Sequence, residues 1–250
     1  MMSWEKTLQD LQTGKLRSAE RQENGQWQAN IAVKEAILEA FKAGQNTDFT
    51  ESYQGFVDKH NLVPRRFTVA DGVRMVPGGS AVRTGAYIAP SVIIMPPAYV
   101  NTGAYVDEGT MIDSHALVGS CAQIGKHVHL SAGVQIGGVL EPIGMNPVVI
   151  EDHVFVGAGA VIVEGIVVKR RAVIAPSVVL SRGVSVYDCV NERTLDKGEA
   201  IPEGAVVVPG SRPLAQAWAK AQGLQAACPI IVKYRDDKSD HALSLEEALR

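Results

Sequence analysis

The sequence predicts a mainly β protein whose central part is a parallel β-helix, and three observations lead there. Aliphatic residues fall six apart at Val82, Ile88, Ile94, Val100, Val106, Ile112, Val118, Ile124, Leu130 and Ile136. Four places after each of the first nine stands a small residue: Ala86, Val92, Ala98, Ala104, Thr110, Ala116, Ala122, Val128 and Val134. The six-residue series then resumes at Ile150, Val156, Ile162, Val168, Ile174, Leu180 and Val186. A period of six fits neither an α-helix nor a lone alternating strand sustained over so long a stretch. It fits short parallel strands joined by tight turns, with each hexad forming one side of a prism and three hexads one coil. The aliphatic residue fills the interior, the small residue lets the chain turn, and each coil stacks on the next.

Taken in order, residues 1–70 lack the period and read as a small helical N-terminal domain. Ser3 to Gln12 and Ile31 to Ala43 read as helices, the second with Ile31, Ala32, Ile37, Leu38 and Phe41 on its apolar side. Asn24-Gly25, between them, reads as a hairpin turn. The β-helix is expected over 71–212, with two interruptions. The 14-residue spacing between Ile136 and Ile150 makes a loop leave the coil near Val139 to Pro147, and insertions in solenoids tend to be functional. Tyr187 to Ala200 is polar and charged and reads as a hairpin-like excursion, after which Ile201 and Val207, again six apart, imply a final partial coil. Residues 213–250 read as a short α/β extension. It holds a helix in Leu214 to Gly223, a strand in Pro229 to Tyr234 and a short helix from Ser244, its N-cap, to Arg250.

Bulk properties narrow the function. The chain has 250 residues, 46% hydrophobic and 20% charged, with a net charge of -3. That balance belongs to a soluble globular protein and argues against nucleic acid or an anionic membrane as partner. No apolar run reaches the roughly 18 residues of a membrane span, and the polar stretch Met1 to Gln12 is no signal peptide. Three widely spaced cysteines, Cys121, Cys189 and Cys228, point to a reduced cytoplasmic protein. Cys121 as a nucleophile has no visible cause for a lowered pKa.

Solenoids of this kind serve acyltransferases, nucleotidyltransferases, γ-carbonic anhydrases and structural proteins, so the fold alone does not choose among them. A three-histidine zinc site is compatible with the spacing of His115, His127, His129 and His153. Longer motifs are more specific. "VRMVPGGSAVRTGAYIAPSVIIMPPAYVNTGAYVDEGTMID", "VGSCAQIGKHVHLSAGVQIGGVLEP" and "IEDHVFVGAGAVIVEG" closely resemble the tetrahydrodipicolinate N-succinyltransferase family. "GKLRSAERQENGQW" resembles that family's N-terminal hairpin and "CPIIVKYRDDKSDHALSLEEALR" its C-terminal tail. The resemblance covers nearly the whole chain. It implies a left-handed β-helix, a homotrimer with active sites in grooves between subunits, and no metal. It also implies succinyl transfer from succinyl-CoA, the co-substrate, to the nitrogen of tetrahydrodipicolinate on the route to diaminopimelate and lysine.

Amide formation from a thioester needs a base for the attacking nitrogen, donors for the oxyanion, and substrates held in contact. The family's acidic catalytic position matches Asp113 in "TMIDSHA", which follows the inward Ile112 and so points away from the prism. On residue type alone Asp113 suits a turn aspartate as well. Arg74 matches a substrate-binding arginine, and a guanidinium suits a dicarboxylate. Ser131, Gly133, Gly137 and Gly138 match positions where the backbone passes the CoA arm, and Ala158 another acyl-CoA position. Lys169 and Arg182 are candidates for CoA phosphates, against the alternative of a solvated charged face. Glu141-Pro142 sits in the inserted loop, a candidate lid.

The sequence also departs from the family. Where "GARSE" is usual before "VVEG", this chain has "GAGAVIVEG". Val161 therefore replaces a glutamate associated with the active site, Gly159 and Ala160 replace the arginine and serine, and Glu164 matches the glutamate of the "VEG" run. His115 stands where tryptophan is common, which makes it a substrate-contact candidate and an alternative base. "GAGAVIVEG" also resembles the related N-acetyltransferase branch. A paralogue using acetyl-CoA, or a different amino-dicarboxylate acceptor, is the competing expectation.

Overall fold

A computed structural model describes residues 3–49 and 56–235; the helix expected from Ser244 lies outside the described residues. The hexads form a left-handed parallel β-helix with three faces built of two-residue strands. The first face stacks Tyr87–Ile88, Tyr105–Val106, Gln123–Ile124, Val149–Ile150 and Val167–Val168. The second stacks Arg74–Met75, Ile93–Ile94, Met111–Ile112, His129–Leu130, Phe155–Val156 and Val173–Ile174, and the third runs from Ala81–Val82 through Tyr99–Val100, Leu117–Val118, Gln135–Ile136 and Val161–Ile162 to Val179–Leu180. Tyr87 pairs with Tyr105 and Tyr105 with Gln123, one coil of 18 residues apart. Gln123 then pairs with Val149, 26 residues on, so the inserted loop adds eight residues without shifting the register.

In each strand the second residue points inward, and this is the aliphatic position of the repeat. Ile94, Ile112, Ile124, Leu130, Ile136, Ile150, Ile162 and Ile174 are all fully buried in one core that runs from Val82 to Val207 and takes in Ile231. Each coil covers its neighbour's interior, so a void opened in one layer has nothing to collapse into. Leu130→Ala is therefore expected to destabilise the fold by about 2–5 kcal/mol, read as a lowered denaturation midpoint in guanidinium with an unchanged slope.

Two helices precede the coil. Helix α1 (Trp4–Gln12) is capped by Ser3, whose side chain accepts from the Lys6 amide. Helix α2 (Ile31–Ala43) is capped by Asn30, which accepts from Val33 N at 3.3 Å. The buried side of α2 differs from the expected one: Val33, Lys34, Ala36, Ile37 and Ala40 face inward, while Ile31 is 48% exposed. The 3.6-residue repeat aligns 33, 36, 37 and 40 on one stripe and leaves the first turn outside it. Leu8, Leu11, Val33, Ile37, Ala40, Leu62 and Cys121 form a second cluster that fixes the helices to the coil.

The expected hairpin pairs Ala19–Arg21 with Trp27–Ala29 and latches onto the first face. The Arg17 guanidinium lies 3.7 Å from the Tyr105 ring centre and donates from Nε to Gln123 Oε1 at 2.8 Å. Trp27 Nε1 donates to Glu151 Oε1 at 3.1 Å. The N-terminal hairpin thus covers part of the first face.

The polar excursion is a hairpin, Tyr187–Asp188 against Arg193–Thr194. The carboxylate of the buried Asp188 accepts from Val190 N, Asn191 N, Asn191 Nδ2 and Tyr234 Oη. The chain then rejoins the coil, with Ile201 bridging Val168 and Val207 beside Ile174. Ala205–Pro213 pairs antiparallel with Gln225–Tyr234. The helix between them, α3 (Ala217–Ala221), is shorter than the ten residues expected, because the flanking residues form the connection between the two strands, with Leu214 N donating to Leu224 O at 3.3 Å. No helix among the described residues is long and apolar enough to cross a membrane.

Candidate functional site

Five of the expected site residues share one corner of the prism, where the second face turns into the third. Asp113 follows Ile112 and Ser131 follows Leu130, and those strands are hydrogen-bonded neighbours. His115, Gly133 and Gly159 occupy the left-handed turn position of successive coils, with φ of 63°, 71° and 67°. Ala158 precedes Gly159. Backbone bonds rung this corner: His115 N to Pro97 O at 2.6 Å, Gly133 N to Ser114 O at 2.8 Å, Gly159 N to Ala132 O at 2.9 Å. The His115 side chain is exposed and Asp113 is half-buried. The Asp113 carboxylate accepts from Ser114 N at 2.6 Å, a turn-type contact that uses Oδ1. The Ser131 hydroxyl has no hydrogen-bond partner among the described residues.

Arg74 lies on the second face in the first coil, exposed, in register with Ile93 and through it with Met111. Two strand spacings, about 10 Å, separate it from the strand that ends at Asp113.

The other candidates stand elsewhere. Gly137, Gly138, Glu164 and Arg182 lie along the next corner, between the third and first faces. Glu164 accepts from Arg182 N at 2.8 Å, a stitch between coils. The Arg182 guanidinium packs over Gly198 of the polar excursion and lines a cavity of about 200 Å³ together with Lys197 and Glu199. Lys169 is on the third corner, between the first and second faces, where its amide bonds Ile201 O. One subunit therefore gathers Asp113, His115, Ser131, Gly133 and Ala158, and keeps Glu164, Arg182 and Lys169 apart from them.

The histidines do not converge. His115 sits at the Asp113 corner, His127 and His153 stack 5.1 Å apart on the third corner, and His129 is buried against Phe155 on the second face. Among the described residues no group of three or more His, Cys, Asp or Glu could hold a metal ion. Cys121 is fully buried, and burial pushes its thiol up to about 11. It stays protonated at neutral pH, which removes the nucleophile reading.

Relatives settle the lineage. Residues 3–43 match the family described as Tetrahydrodipicolinate N-succinyltransferase N-terminal, and residues 147–182 match Bacterial transferase hexapeptide (six repeats). A 2,3,4,5-tetrahydropyridine-2,6-dicarboxylate N-succinyltransferase of Bartonella tribocorum is 46% identical over 99% of this chain and 87% of that protein. The chain belongs to the tetrahydrodipicolinate N-succinyltransferase family. The same-named proteins of Coxiella burnetii and Paracidovorax citrulli are 47% and 44% identical, each over 98% of this chain and 87% and 88% of theirs. A solved Campylobacter jejuni structure assigned as a 2,3,4,5-tetrahydropyridine-2-carboxylate N-succinyltransferase superposes with a TM-score of 0.57 at 18% identity. That match spans 92% of this chain and 63% of the other, and it shows a shared fold.

The residues expected to depart from the tetrahydrodipicolinate N-succinyltransferase pattern, Gly159, Ala160 and Val161, fall at and beside the Asp113 corner. Gly159 is the exposed turn residue, Ala160 is buried, and Val161 projects from the third face between Gln135 and Val179. Lys34 and Asn146 were not singled out by sequence. A lysine in the middle of a helix reads as solvated, and nothing local signals that Lys34 is fully buried.

Proposed function

We propose that the protein transfers the succinyl group of succinyl-CoA to tetrahydrodipicolinate. The observation that carries this reading is the near-complete alignment, at 44–47% identity, with proteins of that name. In this reading the acceptor's amino nitrogen attacks the thioester carbonyl and Asp113 takes the proton. The Ser131 hydroxyl on the same corner is an available donor to the oxyanion. The C–S bond breaks and CoA leaves, taking up a proton. The free amino group arises beforehand, when one water opens the ring C=N bond, so the product is N-succinyl-2-amino-6-oxopimelate. A thioester is activated enough that the step calls for no metal.

The site is completed in a homotrimer. Ile93, Met111, Phe155 and Val173 on the second face, with Leu117, Val161 and Val179 on the third, form half-buried or exposed apolar surface among the described residues. Packing these faces between subunits brings the Asp113 corner of one chain against a neighbour, and gives Glu164, Arg182 and Lys169 a route to a shared groove. A reduced cytoplasmic setting suits the free Cys121, Cys189 and Cys228.

A second reading has its own observation. Val161 puts an isopropyl group where the family's glutamate is usual, which removes a carboxylate beside the Asp113 corner. This favours an acetyl donor or another amino-dicarboxylate acceptor. CoA release by the purified protein, with succinyl-CoA and acetyl-CoA in parallel and with and without tetrahydrodipicolinate, decides between the readings. Acceptor-dependent release with succinyl-CoA alone is the expected result. Release with acetyl-CoA alone transfers the assignment to the second reading, and no release with either donor sinks both.

A further inference from the structure

The inserted loop 139–147 leaves the coil directly after Gly137 and Gly138, and the N-terminal helices hold most of it. At its start, Val139 N donates to Ser120 O at 3.1 Å and Leu140 packs against the cluster of α1 and α2. At its end, Asn146 is clamped twice by the N-terminal hairpin: Oδ1 accepts from Ala29 N at 2.7 Å and Nδ2 donates to Trp27 O at 2.8 Å. Between these anchors the Lys34 ammonium donates to Met145 O at 2.5 Å. Glu141, Pro142 and Gly144 are exposed, so only this short tip projects.

Lys34 is an unusual clamp. Its residue is 0% exposed, yet the ammonium has a single carbonyl acceptor and no carboxylate partner among the described residues. Burial lowers its pKa. The buried Asp188, by contrast, has four donors. A buried cation with one neutral acceptor is a net loss to stability, since desolvation outweighs one hydrogen bond. An apolar side chain of equal length would fill the same space without that loss, so stability alone does not account for lysine here.

We propose that Lys34 and Asn146 are positioning residues, which hold the inserted loop as a fixed wall of the acyl-CoA groove rather than a mobile lid. The inference rests on the acyl-transfer reading above, with the CoA arm passing Gly137 and Gly138 at the foot of the loop, the positions that the family resemblance matches to it. The wall acts on the donor side. The acceptor, bound between Arg74 and Asp113, meets other elements.

The test uses the full chain with Lys34→Met, which keeps length and volume and removes the donor, and with Asn146→Ala. Hydrogen exchange of the 139–147 amides is expected to quicken in both variants. In steady state, KM for succinyl-CoA rises at least about tenfold, as loss of positioning does, while KM for the acceptor stays within about twofold of wild type. The melting temperature of Lys34→Met stays level or rises. The double variant is no worse than the stronger single one, because both residues hold the same segment. An unchanged KM for succinyl-CoA in Lys34→Met, against an active wild type, overturns the inference and leaves the acyl-transfer reading standing. A fall in melting temperature with equal loss towards both substrates overturns it too, by making Lys34 a structural residue only. Wild type that turns over no acyl-CoA removes the reading itself, and the inference with it. If Lys34→Met does not fold, the same KM criterion applied to Asn146→Ala decides.

Discussion

Replacing Asp113 by asparagine is expected to lower kcat by about 10²–10⁴-fold, the range that a positioned general base contributes, with little change in melting temperature. The choice of asparagine follows from the geometry. The carboxylate already serves a local purpose, accepting the Ser114 amide at 2.6 Å, and an amide oxygen accepts that bond equally well. Asp113→Asn therefore keeps the turn and removes only the capacity to take a proton. Asp113→Ala removes both and confuses the two roles. If Asp113 were a turn residue alone, Asp113→Asn would turn over succinyl-CoA at close to the wild-type rate and Asp113→Ala would be both slow and less stable. His115 offers the internal control. It sits one turn position away on the same corner, exposed, with its backbone amide bonded to Pro97 O. A chain in which His115→Ala loses turnover while Asp113→Asn keeps it has its base on the imidazole. Steady-state kinetics with a melting curve for each variant gives the answer directly.

The repeat made the β-helix legible because the period itself is geometric. Every sixth residue from Val82 onward must point inward if three short strands close a coil, and burial at those positions follows. The inserted loop was legible for the same reason, as a break in the six-residue spacing between Ile136 and Ile150. The Asp113–Ser131 adjacency follows from the 18-residue coil too. Other features carried no periodic trace. Lys34 looks like any helical lysine, and its burial depends on a loop more than a hundred residues away. Which side of α2 is buried was misread at Ile31 and Ala32 because hydrophobicity at a helix's first turn says little about the surface it meets. The division of the expected site residues over three corners was likewise out of reach of residue-type reasoning. Gly138 and Gly133 are alike in residue type, and their different places in the hexad, after Ile136 and after Leu130, put them on different corners.

The corner of Gly138 also sets a stability effect. Gly119 and Gly138 pass backbone to backbone between coils at the corner where the inserted loop departs. A Cβ on Gly119 would lie 2.1 Å from Gly138 N and 2.6 Å from its Cα, and one on Gly138 would lie 2.6 Å from Ser120 N. These neighbours are main chain in a hydrogen-bonded ladder, with Gly119 N on Ile136 O at 2.8 Å, so no rotamer change relieves the contact. Gly119→Ala is expected to cost about 1–3 kcal/mol or more, a fall in melting temperature of about 2–4 °C for each kcal/mol in a chain of this size. Gly133 is the counterpart. A Cβ there comes no nearer than 3.8 Å to any heavy atom, and only its φ of 71° opposes a side chain, a penalty of about 1–2 kcal/mol. The methyl group of Gly133→Ala would rest at ordinary contact distance from the Gly159 backbone on the Asp113 corner, where the CoA arm is proposed to run. A loss of succinyl-CoA affinity in Gly133→Ala larger than its stability loss marks that glycine as kept for ligand approach. A Gly119→Ala protein that melts within about 1 °C of wild type would mean that the coils can part at this corner, and the close approach would then not be what selects glycine there.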